Sequence, residues 1–148
     1  MISITDKTLK DLEFRTVLET IAANCVTEIG HDKAMAIGPF KDKETLLPSL
    51  QQTFEYLASY TNNNAIPNHG FETITHDLKL LHLEDSFLEV TAFRKFAAIS
   101  DTVNTQLLYF KKFKEYYPEL YLKSATIEFT KVIIQKIEEV IDKHGVIK

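Results

Sequence analysis

Leu12-Glu13-Phe14-Arg15-Thr16-Val17-Leu18-Glu19-Thr20-Ile21-Ala22, followed by Cys25-Val26-Thr27-Glu28-Ile29-Gly30, is the stretch whose reading decides the fold class of this chain. Val17, Leu18, Ile21 and Ala22 recur at helical spacing and face one way, and the apolar pattern reaches back through Leu12 and Leu9. It predicts one helix over about 8–23. Asn24-Cys25-Val26 breaks that pattern. Thr27 then offers a side-chain oxygen as N-cap, and Glu28 puts a negative charge in the first turn, where it complements the helix dipole. The second helix runs to about Ile37. Gly38-Pro39 stops it, since glycine suits the position past a helix end and proline cannot continue one.

The same reading extends down the chain. Asp42 caps a third helix reaching Tyr60, with Leu50, Phe54, Leu57 and Ala58 as its buried stripe. Pro48 lies inside that span and removes one backbone bond, so a kink or a short preceding turn is expected there. Asn62 to Gly70 is a loop, built from turn formers, a pre-proline residue and a glycine. A short helix follows over Ile74 to Leu81. Ser86-Phe87-Leu88-Glu89 has the form of a capping box, which opens a helix continuing to about Tyr116, before Pro118. Phe96, Ile99, Val103, Leu107, Phe110 and Phe113 form its inward stripe. At 1.5 Å per residue this helix is roughly 40 Å long, too long for a compact bundle unless one end projects. Losing the Ser86 cap is expected to cost about 1 kcal/mol. The last helix is read from about Thr126 to His144. Its stripe is Phe129, Ile133, Ile137, Val140 and Ile141, its solvent face Lys131, Gln135, Glu138, Glu139 and Asp142, and its C′ residue Gly145. No window alternates as a strand does. The expected fold is all-α, a multi-helix bundle with one long helix, forming a single domain over 1–148.

Bulk properties narrow the function classes. A chain of 148 residues, 45% hydrophobic and 26% charged, is globular in composition and needs no metal or disulfide staple. Ten Phe, six Tyr and no Trp supply the aromatic bulk of the core. A formal net charge of −4 argues against strong attraction to nucleic acid or anionic membrane. Cys25 is the sole cysteine, which excludes an internal disulfide and fits a reducing, cytoplasmic setting. No secretory signal and no membrane-spanning apolar run is present.

Chemistry-bearing patterns are few. The phosphate-binding loop Gly-x-x-x-x-Gly-Lys-Ser/Thr is absent, so no nucleotide site of that kind is expected. His69, His76 and His82 match no zinc spacing. Cys25 lies among Ala22, Ala23 and Val26 and reads as packing. Glu84-Asp85 and Glu138-Glu139 read as solvated faces. The remaining candidate is Tyr109-Phe110-Lys111-Lys112-Phe113-Lys114-Glu115-Tyr116-Tyr117, with Lys123 just beyond. Lysines interleaved with rings are how single-stranded nucleic acid is held. The competing reading buries the rings and leaves the lysines to the helix C-terminal dipole, and it is favoured because Phe110 and Phe113 continue the core stripe. Lys111, Lys112, Lys114 and Lys123 are therefore the possible nucleic-acid contacts. No catalytic, cofactor or metal residue is assigned.

Several of these segments together resemble the N-terminal region of the bacterial MutS-like ATPases of the second type, the MutS-two family. The matching residues are Leu12-Glu13-Phe14 with Val17, Leu18 and Ala22; Thr27-Glu28-x-Gly30 with Ala34; Pro39; and Gln52-Thr53-x-Glu55. They continue with Ile66-Pro67-x-x-Gly70-Phe71, Ile74, Ser86 to Glu89, Tyr117-Pro118-x-Leu120 and Val140-Ile141-Asp142-x-x-Gly145-x-Ile147-Lys148. The resemblance implies the first part of the helical core and lever of a long, dimeric ATPase. In such a parent an ABC-type ATPase domain using ATP and Mg follows, often with a nuclease domain. It further implies partners: the rest of the parent chain, its dimer mate, and DNA or the ribosome. Family roles lie in repair, suppression of recombination and rescue of stalled ribosomes. The family's nucleotide-binding and nuclease motifs are not matched here, so the expectation is an N-terminal piece without catalysis. The alternative is a stand-alone helical adaptor that binds a protein partner.

Overall fold

The computed structural model describes residues 4–142 and 144–148. The chain is all-α. Among the described residues there is no strand, and the only β feature is an isolated antiparallel bridge between Ile141 and Ile147. The helices are α1 (Asp6–Asp11), α2 (Phe14–Ala23), α3 (Glu28–Met35), α4 (Lys43–Thr61), α5 (Thr75–Leu80), α6 (Val90–Lys112), α7 (Pro118–Ser124) and α8 (Val132–Val140). They pack as two units, Met1–Leu46 and Leu47–Lys148.

In the first unit, the single helix expected over 8–23 is two. Thr5 accepts the Thr8 N–H at 3.2 Å and starts α1 earlier, and Glu13, at φ +51°, ends it before α2. That left-handed residue redirects the chain, so α1 packs on α2 instead of extending it. Thr27 caps α3 as the sequence indicates, accepting the Gly30 N–H at 3.0 Å. Leu18, Ala22 and Ala34 are buried where α2 meets α3. The small residues set this close approach: a Cβ on Gly30 would lie 3.0 Å from the Thr27 Oγ1 that caps the helix.

In the second unit, α6 is the spine, with α7 and α8 packed on it. Its stripe turns inward as the periodicity predicts: Phe110 is buried and Phe96, Ile99, Val103, Leu107 and Phe113 are half-buried. Its start differs. Ser86 is no N-cap: its hydroxyl donates to the carbonyls of Leu80 and Leu83, holding the turn after α5, and α6 begins at Val90 behind Glu89. Leu88 is half-buried, Phe87 is exposed, and Glu89 is extended immediately before the helix opens. The helix also ends at Lys112, four residues short of Tyr116, and α7 occupies part of the interval read as non-helical.

Two apolar stripes are corrected. On α4, an unbroken helix through Pro48, Leu50, Phe54 and Leu57 face outward, because Glu55 and Ser59 take the buried side. On α8, Phe129, Ile133 and Val140 are exposed while Ile134, Ile137 and Ile141 turn toward α6. Asn104 sets that rotation. Buried in α6, it donates to the Thr130 carbonyl at 2.6 Å and accepts the Thr130 N–H at 3.3 Å, so the segment entering α8 is clamped and the helix starts only at Val132. Beyond α8, Gly145 adopts φ +82° in a turn rather than at a helix C′ position. Asp142 accepts the N–H groups of His144 and Val146 there, and the Arg94 side chain covers Gly145 where a Cβ would clash.

Candidate nucleic-acid interface

Lys111 and Lys112 occupy the last turn of α6, where their charges complement the free carbonyls. Lys114 follows in the turn closed by the Tyr116 and Tyr117 N–H groups on the Phe113 carbonyl, at 2.9 and 3.0 Å. All three lysines are exposed. Lys112 Nζ lies 5.1 Å from the centre of the Phe113 ring, a cation–π contact that holds it along the helix end. Lys123, on α7, is also exposed and donates to Gln52 Oε1 of α4 at 3.4 Å. The four candidates thus belong to one helix end, one turn and the neighbouring short helix.

Apart from Tyr116, the rings between them are packed against one another. Tyr109 and Tyr117 stack on each other, centroids 6.1 Å apart and planes within 9°, and Tyr109 also packs at 4.8 Å on Phe113. Phe110 and Tyr117 are buried, leaving Tyr116 as the exposed ring of the group. The packing reading of the aromatics therefore holds. What remains outward is a set of ammonium groups and one tyrosine. The Tyr109 hydroxyl donates to the Asn64 carbonyl, tying the 62–74 loop to α6, and burial, with the neighbouring Tyr117 hydroxyl, pushes its ionisation upward. The Tyr117 hydroxyl is buried without a hydrogen-bond partner among the described residues.

Beneath this surface lies the residue that organises it, which the sequence reading misses. Glu55 of α4 is 1% exposed. Its carboxylate accepts the Glu119 N–H at 3.2 Å, the Leu120 N–H at 3.0 Å and the Gln51 side-chain amide at 3.1 Å. The first turn of α7 is then fully accounted for. Pro118 has no N–H, Glu119 and Leu120 bond Glu55, and Tyr121 N–H reaches the Tyr117 carbonyl at 2.9 Å. Tyr117, at the N-cap, makes no capping bond of its own. The signal available in the sequence is that Tyr117-Pro118 marks a helix start with no local capping side chain, which demands an acceptor from elsewhere.

Other candidate groups stay apart. No cluster of three metal-ligating side chains occurs among the described residues. His69 lies against the Pro67 carbonyl and the edge of Tyr56, while His76 and His82 are exposed. The Cys25 thiol donates to the Ile21 carbonyl. Glu84, Asp85, Glu138 and Glu139 are exposed. No helix among the described residues is long and apolar enough to cross a membrane. Comparison with family models, with curated proteins and with solved structures yields no match for this chain.

Proposed function

We propose that this chain is a non-catalytic helical module of a MutS-like, DNA-associated ATPase of the second type, acting in the cytoplasm as part of its core and lever. One observation carries the reading. Two of the segments that bear the resemblance, Gln52-Thr53-x-Glu55 and Tyr117-Pro118-x-Leu120, meet through the Glu55 carboxylate. Residues far apart in sequence are thereby one structural device, as expected if the motifs encode a scaffold and not a reaction.

No phosphate loop of the Gly-x-x-x-x-Gly-Lys kind supports ATP binding by that route in this chain, since none of its glycines precedes a lysine. Gly30 lies inside α3 against Thr27, and Gly145 lies under Arg94. On this reading ATP and Mg belong to another part of the parent protein, as do the dimer mate and the contact with DNA or the ribosome. The outward apolar face of α4 favours a second reading, a stand-alone adaptor that docks a helical partner.

The gene sequence past codon 148 separates the two. An open frame leading into a Gly-x-x-x-x-Gly-Lys-Ser/Thr loop is the expected result. A stop codon directly after Lys148 would overturn the module reading and leave the adaptor.

A further inference from the structure

α6 and α7 meet over a cleft of about 240 Å³. Leu107 and Phe110 of α6, Leu120 of α7 and Ile127 beyond it form its walls. The α7 wall is fixed at its start by the Glu55 bonds to the Glu119 and Leu120 N–H groups. Past its end, the Ile127 N–H closes on the Ser124 carbonyl at 3.0 Å.

Three polar residues also line the cleft. The Ser124 hydroxyl is spent, donating to the Tyr121 carbonyl at 2.8 Å. Gln106 is half-buried, and its amide makes no hydrogen bond among the described residues. Lys123 is exposed, and its ammonium makes a single long contact among them, 3.4 Å to Gln52 Oε1. Both groups therefore keep donors to offer. No Asp or Glu lines the cleft, although the chain carries 21 of them against 17 Lys and Arg. An apolar hollow with a positive rim, on a chain of net charge −4, is complementary to a small anion with an apolar body.

We infer that this cleft binds a small apolar monocarboxylate, its tail between Leu107, Phe110 and Leu120 and its carboxylate on Lys123 and Gln106. A carboxylate accepts from both donors, and its bond to the ammonium is charge-assisted. The volume falls below the roughly 300–1,000 Å³ of sites for larger ligands, which limits the tail to a single ring or a short chain. The assignment stands whether or not the chain belongs to an ATPase.

An amide-resolved NMR titration with phenylpropanoate tests it, beside the matched phenylpropanol and phenylpropylamine. The acid should shift the Leu107, Ser124 and Ile127 amides saturably and bind at least about tenfold tighter than the alcohol or the amine. Lys123→Met keeps the stem, removes the charge and should bring the acid down to the affinity of the alcohol, whereas Lys123→Arg should retain the preference. Val103→Phe, which fills the cleft from α6, should abolish binding of acid and alcohol alike, with helical circular dichroism retained. Lys123→Met lies at an exposed position and decides the matter even where Val103→Phe disturbs the packing. Lys33→Met, exposed on α3, should leave binding unchanged. The absence of a saturable shift in the millimolar range overturns the proposal. So does an acid that binds no better than its alcohol and amine, or binding of the acid that Lys123→Met leaves intact.

Discussion

Glu55 is inside because α7 has no other cap. A buried carboxylate is stable only where donors replace its water, and here two backbone N–H groups and one amide do so at the positive end of a helix. Glu55→Ala strands both N–H groups and should cost about 2–4 kcal/mol in urea denaturation. Glu55→Gln keeps an acceptor but turns an amide toward donors, so its midpoint should fall between those of Ala and wild type. Equal midpoints for all three proteins would mean that the clasp contributes nothing. Tyr56 offers a second test. Its hydrogen bond with Tyr60, 2.9 Å between hydroxyls, and then burial push it from 10 up to about 12. Because the folded value lies above the unfolded one, this contribution is complete below about pH 10. It is lost as pH rises through about 12. Tyr60→Phe should return the Tyr56 midpoint toward the ordinary tyrosine range in an ultraviolet titration, and an unmoved midpoint would contradict the stated cause.

At the scale of elements, helix existence is legible in the sequence where local signals suffice. Thr27 and Asp42 act within three residues, and α3 and the start of α4 follow them, whereas α3 ends at Met35, before the glycine-proline pair at 38–39 is reached. The orientation of helices is less legible, because partners distant in sequence decide it. Leu50, Phe54 and Leu57 form a good amphipathic stripe, yet Glu55 binds α7 from 64 residues away and turns that stripe outward. Asn104 likewise fixes α8 from 26 residues away. Ser86 shows the limit of a motif: the box has the right residues, but its hydroxyl is engaged by carbonyls of the preceding turn. Ser86→Ala should therefore cost less than about 0.5 kcal/mol, below the roughly 1 kcal/mol of a lost N-cap. A loss of cap size on chemical denaturation would restore Ser86 as the cap of α6. Of the candidate site, the exposure of Lys111 and Lys112 and the burial of Phe110 follow from helical spacing, whereas the burial of Tyr117 past the end of α6 and the Glu55 clasp do not.

For the molecule as a whole, the proposed reading makes this chain a scaffold whose lysines form too small a patch to grip nucleic acid alone. Affinity for phosphate backbones comes mainly from counterion release by clustered Lys and Arg. Lys111, Lys112, Lys114 and Lys123 supply at most a few contacts, with Tyr116 the single exposed ring of the cluster, on a chain of net charge −4. The decisive measurement is a fluorescence-anisotropy titration with single-stranded and branched oligonucleotides at low and at near-physiological salt. Binding weaker than micromolar is expected near physiological salt, with any low-salt binding removed by the combined Lys111→Ala, Lys112→Ala and Lys114→Ala substitution. Submicromolar binding at physiological salt that survives this triple substitution would contradict the proposed reading.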